Sequence, residues 1–124
     1  MPSVAVYDVS DPHHNEGNAF GLDASHPKDT FNPAQAYVLT LGAGQSRNKV
    51  VRVLNAIAKE FGHDSLNDCP WEKMNYDAVL AFRVRQMEKG LSPSTVNLQI
   101  CTLRMVAKQA WLKGMMSIET YSAI

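Results

Sequence analysis

The stretch Ser92-Pro-Ser-Thr-Val-Asn-Leu-Gln-Ile-Cys-Thr-Leu-Arg-Met-Val-Ala-Lys-Gln-Ala-Trp-Leu-Lys-Gly114 decides the class of fold. Ser92 is a helix-capping residue, and Pro93 suits the first helical position because an N–H there has no intrahelical partner to lose. Gly114 suits the position just past a helix end. No breaker interrupts the residues between, so a long helix to about Leu112 is expected. Val96, Ile100, Leu103, Ala107 and Trp111 fall on one stripe of it, while Leu98, Met105 and Leu112 form another. A helix that is apolar on two sides belongs at the centre of a small bundle, with neighbours on both flanks.

Working outward, the same punctuation marks three more helices. One runs from Asn75 or Tyr76 to Lys89 and is ended by Gly90, with Tyr76, Leu80, Val84 and Met87 on its apolar stripe. Before it, His63 to Lys73 is a connection whose Leu66 and Trp71 are expected to plug the core. Ser46 is expected to cap a helix of about four turns that closes on Phe61 and Gly62, with Val50, Val53, Leu54, Ile57 and Phe61 facing inward. Asn32-Pro33 starts a shorter helix that reaches Leu41 and stops at Gly42-Ala-Gly44. Four helices joined by short Gly- and Pro-marked turns predict a compact all-α domain from about 32 to 116. Ile118 to Ile124 reads as the start of a further element.

Residues 1–31 hold no sustained period and few clustered apolar residues, so they are expected to form a flexible arm, with Ser3–Val9 its one candidate extended segment. The arm bears on the charge balance. The 124 residues carry 12 Lys and Arg against 12 Asp and Glu, a formal charge of zero. Taken whole, that number argues against a nucleic-acid binder. Taken by segment, it does not. Residues 1–44 hold one base (Lys28) against five acids, a net −4, and residues 45–124 hold eleven bases against seven acids, a net +4.

Several classes fall away. No apolar run is long enough to span a membrane, and the N-terminus lacks the basic and apolar regions of a secretory leader. Cys69 and Cys101 are far apart with no CxxC spacing, which reads as a reduced pair in a cytoplasmic protein. His13, His14 and His26 lack the spacing of metal ligands, and no phosphate loop or nucleophile–base pair is present. No cofactor and no small-molecule substrate is expected.

The polar residues of the second helix are more informative. Asn48, Arg52, Asn55 and Lys59 follow spacings of 4, 3 and 4, placing them opposite the apolar side, with Arg47 and Lys49 at the N-terminal end. Lys and Arg supply charge and Asn supplies directional donors, the combination that phosphate contacts require. The plainer alternative is the solvated side of an ordinary bundle helix. At the start of the fourth helix, Ser94, Thr95 and Asn97 offer hydroxyls and an amide beside free backbone N–H groups, while Ser92 reads as a simple cap. Arg104 reads as structural or partner-facing.

These segments resemble the core-binding domain of tyrosine recombinases (phage integrases). The resemblance rests on Asn32-Pro-Ala-Gln-Ala-Tyr37, Ser46 leading a basic helix, Pro70-Trp71, Gly90-Leu-Ser-Pro-Ser-Thr95 with Asn97, Leu103-Arg104, Ala110-Trp111 and Gly114. It covers about residues 32–120. It implies a four-helix SAM-like orthogonal bundle forming half of a clamp on double-stranded DNA, with the second and fourth helices facing the duplex. Carried over by position, Ser46, Arg47, Lys49 and Arg52, then Ser94, Thr95 and Asn97, lie at the DNA. The family often has Thr where this chain has Lys49.

Family chemistry also needs a catalytic domain with a His-x-x-Arg motif and a late tyrosine. No histidine here begins such a motif, and Tyr7, Tyr37, Tyr76 and Tyr121 all lie in or before the core-binding region. The resemblance thus implies a DNA-binding half with no catalytic activity of its own, and residues 117–124 as the start of a truncated interdomain linker. The alternative is a protein-interaction module that docks a recombinase protomer or another partner through the partly apolar fourth helix.

Overall fold

A computed structural model describes residues 31–124, and all but Phe31 of the expected arm lies outside the described residues. The described chain is all-helical: α1 (Pro33–Thr40), α2 (Gln45–Glu60), a 3-10 turn (Trp71–Lys73), α3 (Tyr76–Glu88), α4 (Pro93–Leu112) and α5 (Ile118–Ala123). Four of these α-helices lie within residues 32–116, and the described residues add a fifth where a further element was expected to start. The last begins where the Ser117 hydroxyl accepts from Thr120 N. It is held to α4 by Tyr121, whose ring stacks on Trp111 at 5.2 Å and 9°, and by buried Ile124.

Local capping chemistry sets most of the boundaries. Asn32 Oδ1 accepts from Ala34 N and Gln35 N at the start of α1, Asn75 accepts from Ala78 N at α3, and Ser92 accepts from Thr95 N at α4. Ser46 does not cap α2. The cap is Gly44, at φ 126 and ψ −157, with no side-chain hydrogen bond, and Ser46 falls inside the first turn. That backbone region is open essentially only to glycine, so the chain's change of direction places the cap two residues before the hydroxyl. The far end of α2 closes with Gly62 N donating to Lys59 O and His63 N to Ala58 O, the paired bonds of a left-handed glycine stop.

α4 is the element that α1, α2, α3, α5 and the 3-10 turn all pack against. Val96, Ile100, Leu103 and Ala107 are buried as expected, with Trp111 half-buried. The expected second stripe is not buried: Leu98, Met105 and Leu112 are 37% to 60% exposed. Gln99, Thr102, Val106 and Ala110 form the second buried flank instead. The same inversion occurs in α3, where Tyr76, Leu80, Val84 and Met87 are 42% to 59% exposed and Ala78, Val79, Phe82 and Gln86 face inward. In both helices the buried surface mixes small and polar residues with the apolar ones, so counting large apolar side chains selects the wrong side of α3 and the wrong second flank of α4. Phe82 decides the matter for α3. Its ring lies 5.3 Å from Phe61, and Ala78 leaves room for the helix to approach.

The connection between α2 and α3 is built into the core. Leu66, Cys69, Trp71 and Met74 are all buried, and burial pushes the Cys69 thiol well above its ordinary pKa, with the Glu72 and Asp68 carboxylates adding to the shift. Trp71 meets Phe61 edge-on at 6.3 Å. Its indole N–H donates to Leu66 O at 2.9 Å, so the one polar atom of a fully buried side chain is satisfied. The same carbonyl accepts from Asn32 Nδ2 at 3.1 Å. Trp71→Phe removes that donor together with part of the ring volume. It is expected to destabilise the domain by about 2 kcal/mol, read as a lower urea midpoint in circular dichroism with helix content retained. An unchanged midpoint contradicts this account of the connection.

Candidate nucleic-acid interface

α2 divides into two faces. Leu54, Ile57, Ala58 and then Phe61 point into the core, with Val50 and Val53 half-buried beside them. Asn48, Lys49, Arg52 and Lys59 stand on the outward face and are exposed, and Ser46 is exposed in the first turn. From Lys49 to Lys59 the charges span about 15 Å of helix.

What makes this face cationic is the treatment of the one acid on α2. Glu60 is turned toward α3, where its carboxylate pairs with Lys89 Nζ and, at 4.0 Å, with Arg85 Nε. Its charge is therefore offset away from the outward face. Among the described residues no carboxylate pairs with Lys49, Arg52 or Lys59. The partner of Glu60 lies 29 residues away along the chain, and no local signal in the sequence points to it.

Two of the expected site residues are occupied by the fold. Arg47 Nη2 donates to Leu41 O at 3.0 Å, placing its charge at the C-terminal end of α1, where the helix dipole favours a cation. Asn55 Oδ1 accepts from Leu66 N at 2.9 Å and holds the α2–α3 connection. Both sit half-buried on the flanks of α2, between its inward and outward faces.

At the start of α4, Ser94, Thr95 and Asn97 are all exposed. Thr95 is partly engaged, since its N–H donates to Ser92 Oγ and its hydroxyl lies 3.0 Å from the same oxygen. α2 packs on α4, so the two candidate surfaces belong to neighbouring helices. Arg104 donates from Nε to the Ile124 main-chain oxygen at 3.2 Å, which ties α4 to the end of α5. Among the described residues there is no group of His, Cys, Asp and Glu able to hold a metal, and no helix long and apolar enough to cross a membrane. Cys69 and Cys101 are both free thiols, the first buried and the second exposed.

The two kinds of polar residue on α2 are separable by stability. Asn55→Ala leaves the buried Leu66 N–H without its acceptor and is expected to cost about 1–3 kcal/mol. Arg52→Ala, on the solvated face, is expected to stay within about 0.5 kcal/mol of the parent. Chemical denaturation of the two variants checks this, and equal losses contradict the assignment of faces. No protein-family model, no curated protein and no solved structure matches this chain.

Proposed function

We propose that this domain binds double-stranded DNA through the outward face of α2 and the start of α4, as the core-binding half of a site-specific tyrosine recombinase. The observation that carries the reading is the row Lys49, Arg52 and Lys59 on a face from which the helix's own acid, Glu60, has been withdrawn. Three cations on a rigid helix, with Asn48 among them, suit phosphate contacts that position a duplex without reading its sequence. Ser94, Thr95 and Asn97 add neutral donors beside the N-terminal end of α4. Arg47 and Asn55 serve this surface indirectly, by fixing the turn before α2 and the loop after it. The residue pattern that resembles the recombinase core-binding domain supports the same reading, as does the all-helical fold with α4 at its centre. Within that reading the domain contributes binding, and the chemistry belongs to a catalytic partner domain.

Titrating the protein onto labelled duplex at two salt concentrations tests the proposal. Binding is expected to weaken steeply with salt, because each neutralised phosphate releases counterions. Lys49→Ala and Arg52→Ala are each expected to weaken binding to all sequences alike and to lower the salt slope by about one. Absence of binding at low salt, or binding that ignores salt, sinks the proposal.

A second reading has its own observation. Tyr76, Leu80, Val84 and Met87 line the outward side of α3, and Leu98, Met105 and Leu112 that of α4, so the domain exposes large apolar side chains on two adjacent helices. Such surfaces mark partner contacts in soluble proteins. A protein-docking role predicts heterotypic capture of a recombinase protomer that persists in the Lys49→Ala and Arg52→Ala variants and is lost on Leu80→Ser. Capture unaffected by Leu80→Ser argues against this face.

A further inference from the structure

We propose that the acidic segment formed by residues 1–30 docks on the outward face of α2 and competes there with duplex DNA, an inference that rests on the DNA-binding reading of that face. The charges are complementary. Residues 1–30 carry Asp8, Asp11, Glu16, Asp23 and Asp29 against the single base Lys28, and the rest of the chain carries the compensating excess of bases. Of the bases outside that row, Arg85 and Lys89 share the Glu60 carboxylate, and Arg47 and Arg104 are hydrogen-bonded to the main-chain oxygens of Leu41 and Ile124. Lys113 lies over the Phe31 ring at 5.2 Å. Lys49, Arg52 and Lys59 form a row of exposed cations on one helix face, whereas the exposed Lys73 and Arg83 stand singly on the 3-10 turn and on α3.

The point where the segment joins the domain favours the same face. Asn32, the second described residue, donates from Nδ2 to Leu66 O, and the N–H of that same Leu66 donates to Asn55 Oδ1 on α2. Asn55 is three residues from Arg52 and four from Lys59, the spacings that make neighbours on a helix surface. Asn32 therefore stands one loop residue away from the flank of the cationic row, with Phe31 before it against Lys113 at the end of α4. Asp29 and Asp23 precede Asn32 by three and nine residues. Their maximum reach is about 10 Å and about 30 Å, and the longer exceeds the roughly 24 Å length of α2. A tethered anion of this reach acts at the high effective concentration of an intramolecular ligand, so weak individual contacts suffice to occupy the face.

The test uses the full-length chain. Zero-length carbodiimide coupling, mapped by mass spectrometry, is expected to join carboxylates of residues 1–30 to Lys49 or Lys59 at low salt and to lose those links at high salt. The D8N/D11N/E16Q/D23N/D29N variant is expected to bind labelled duplex about tenfold more tightly than the parent at low salt, as for a face free only about a tenth of the time. That gap should close as salt rises. D77N/E119Q, which removes acids from the cleft between α3 and α5, corrects for net charge alone. An equal gain per charge removed in the two variants overturns the docking, as do links confined to other lysines. Parent and variant binding duplex equally overturns the competition while leaving the DNA-binding reading intact. Links to Lys49 or Lys59 with no duplex binding by either protein overturn both the competition and the DNA-binding reading.

Discussion

The main chain of Leu66 is the point on which the arrangement of this domain depends. Its carbonyl accepts from the Trp71 indole and from the Asn32 side chain, and its N–H donates to Asn55. Three elements that are distant in sequence, the start of α1, the middle of α2 and the 3-10 turn, thus meet at one residue. The meeting point is largely shielded from water, where an unmade hydrogen bond is costly and a made one is correspondingly directive. With Trp71 seated, Phe61 and Phe82 close the aromatic cluster, and α3 is oriented by its contact with Phe61. α4 then runs through the middle of what remains.

This same node divides the polar residues of α2 into two groups. Asn55 and Arg47 carry residue types suited to phosphate or base contacts, yet both are committed to main-chain oxygens or N–H groups that need them. Lys49, Arg52 and Lys59 have the same general chemistry and no such commitment among the described residues. The separation follows from position around the helix. Residues on the flank between core and solvent meet the loops that cross the helix ends, and the cations on the far face have no hydrogen-bond or ion-pair partner among the described residues. Glu60 completes the sorting by pairing across to α3, so that the outward face carries one sign of charge. A surface of one sign on a rigid element is what long-range attraction to a polyanion requires.

Legibility in the sequence followed the range of the interaction. Caps and stops were readable because they involve residues two to six apart: Asn32 with Pro33, Asn75, Ser92 with Pro93, and the glycines at 62, 90 and 114. The failure at Ser46 is of the same local kind. A serine near a helix start is a good capping signal, but the conformation of Gly44 had already turned the chain. The inward face of α3 and the second buried flank of α4 were not readable. Each helix has apolar residues all around, and the face that became buried includes Gln86 in one and Gln99 and Thr102 in the other. Which face turns inward was settled by shape, through Phe82 against Phe61 and small residues that permit close approach, and not by hydrophobicity alone.

The sequence by itself therefore determined an all-helical domain from about residue 32, nearly every helix boundary within it, the burial of Leu66 and Trp71, and the split of a zero net charge into an acidic head and a basic body. Each of these depends on neighbours along the chain or on composition. Tertiary structure alone decided which side of α3 and which second flank of α4 are core, that the last residues pack as a fifth helix on Trp111, and which basic residues of α2 remain in solvent. Those outcomes depend on contacts between residues tens of positions apart. Such contacts leave no periodic trace in the sequence, because they are selected by complementary shape and by hydrogen-bond demand at one buried loop.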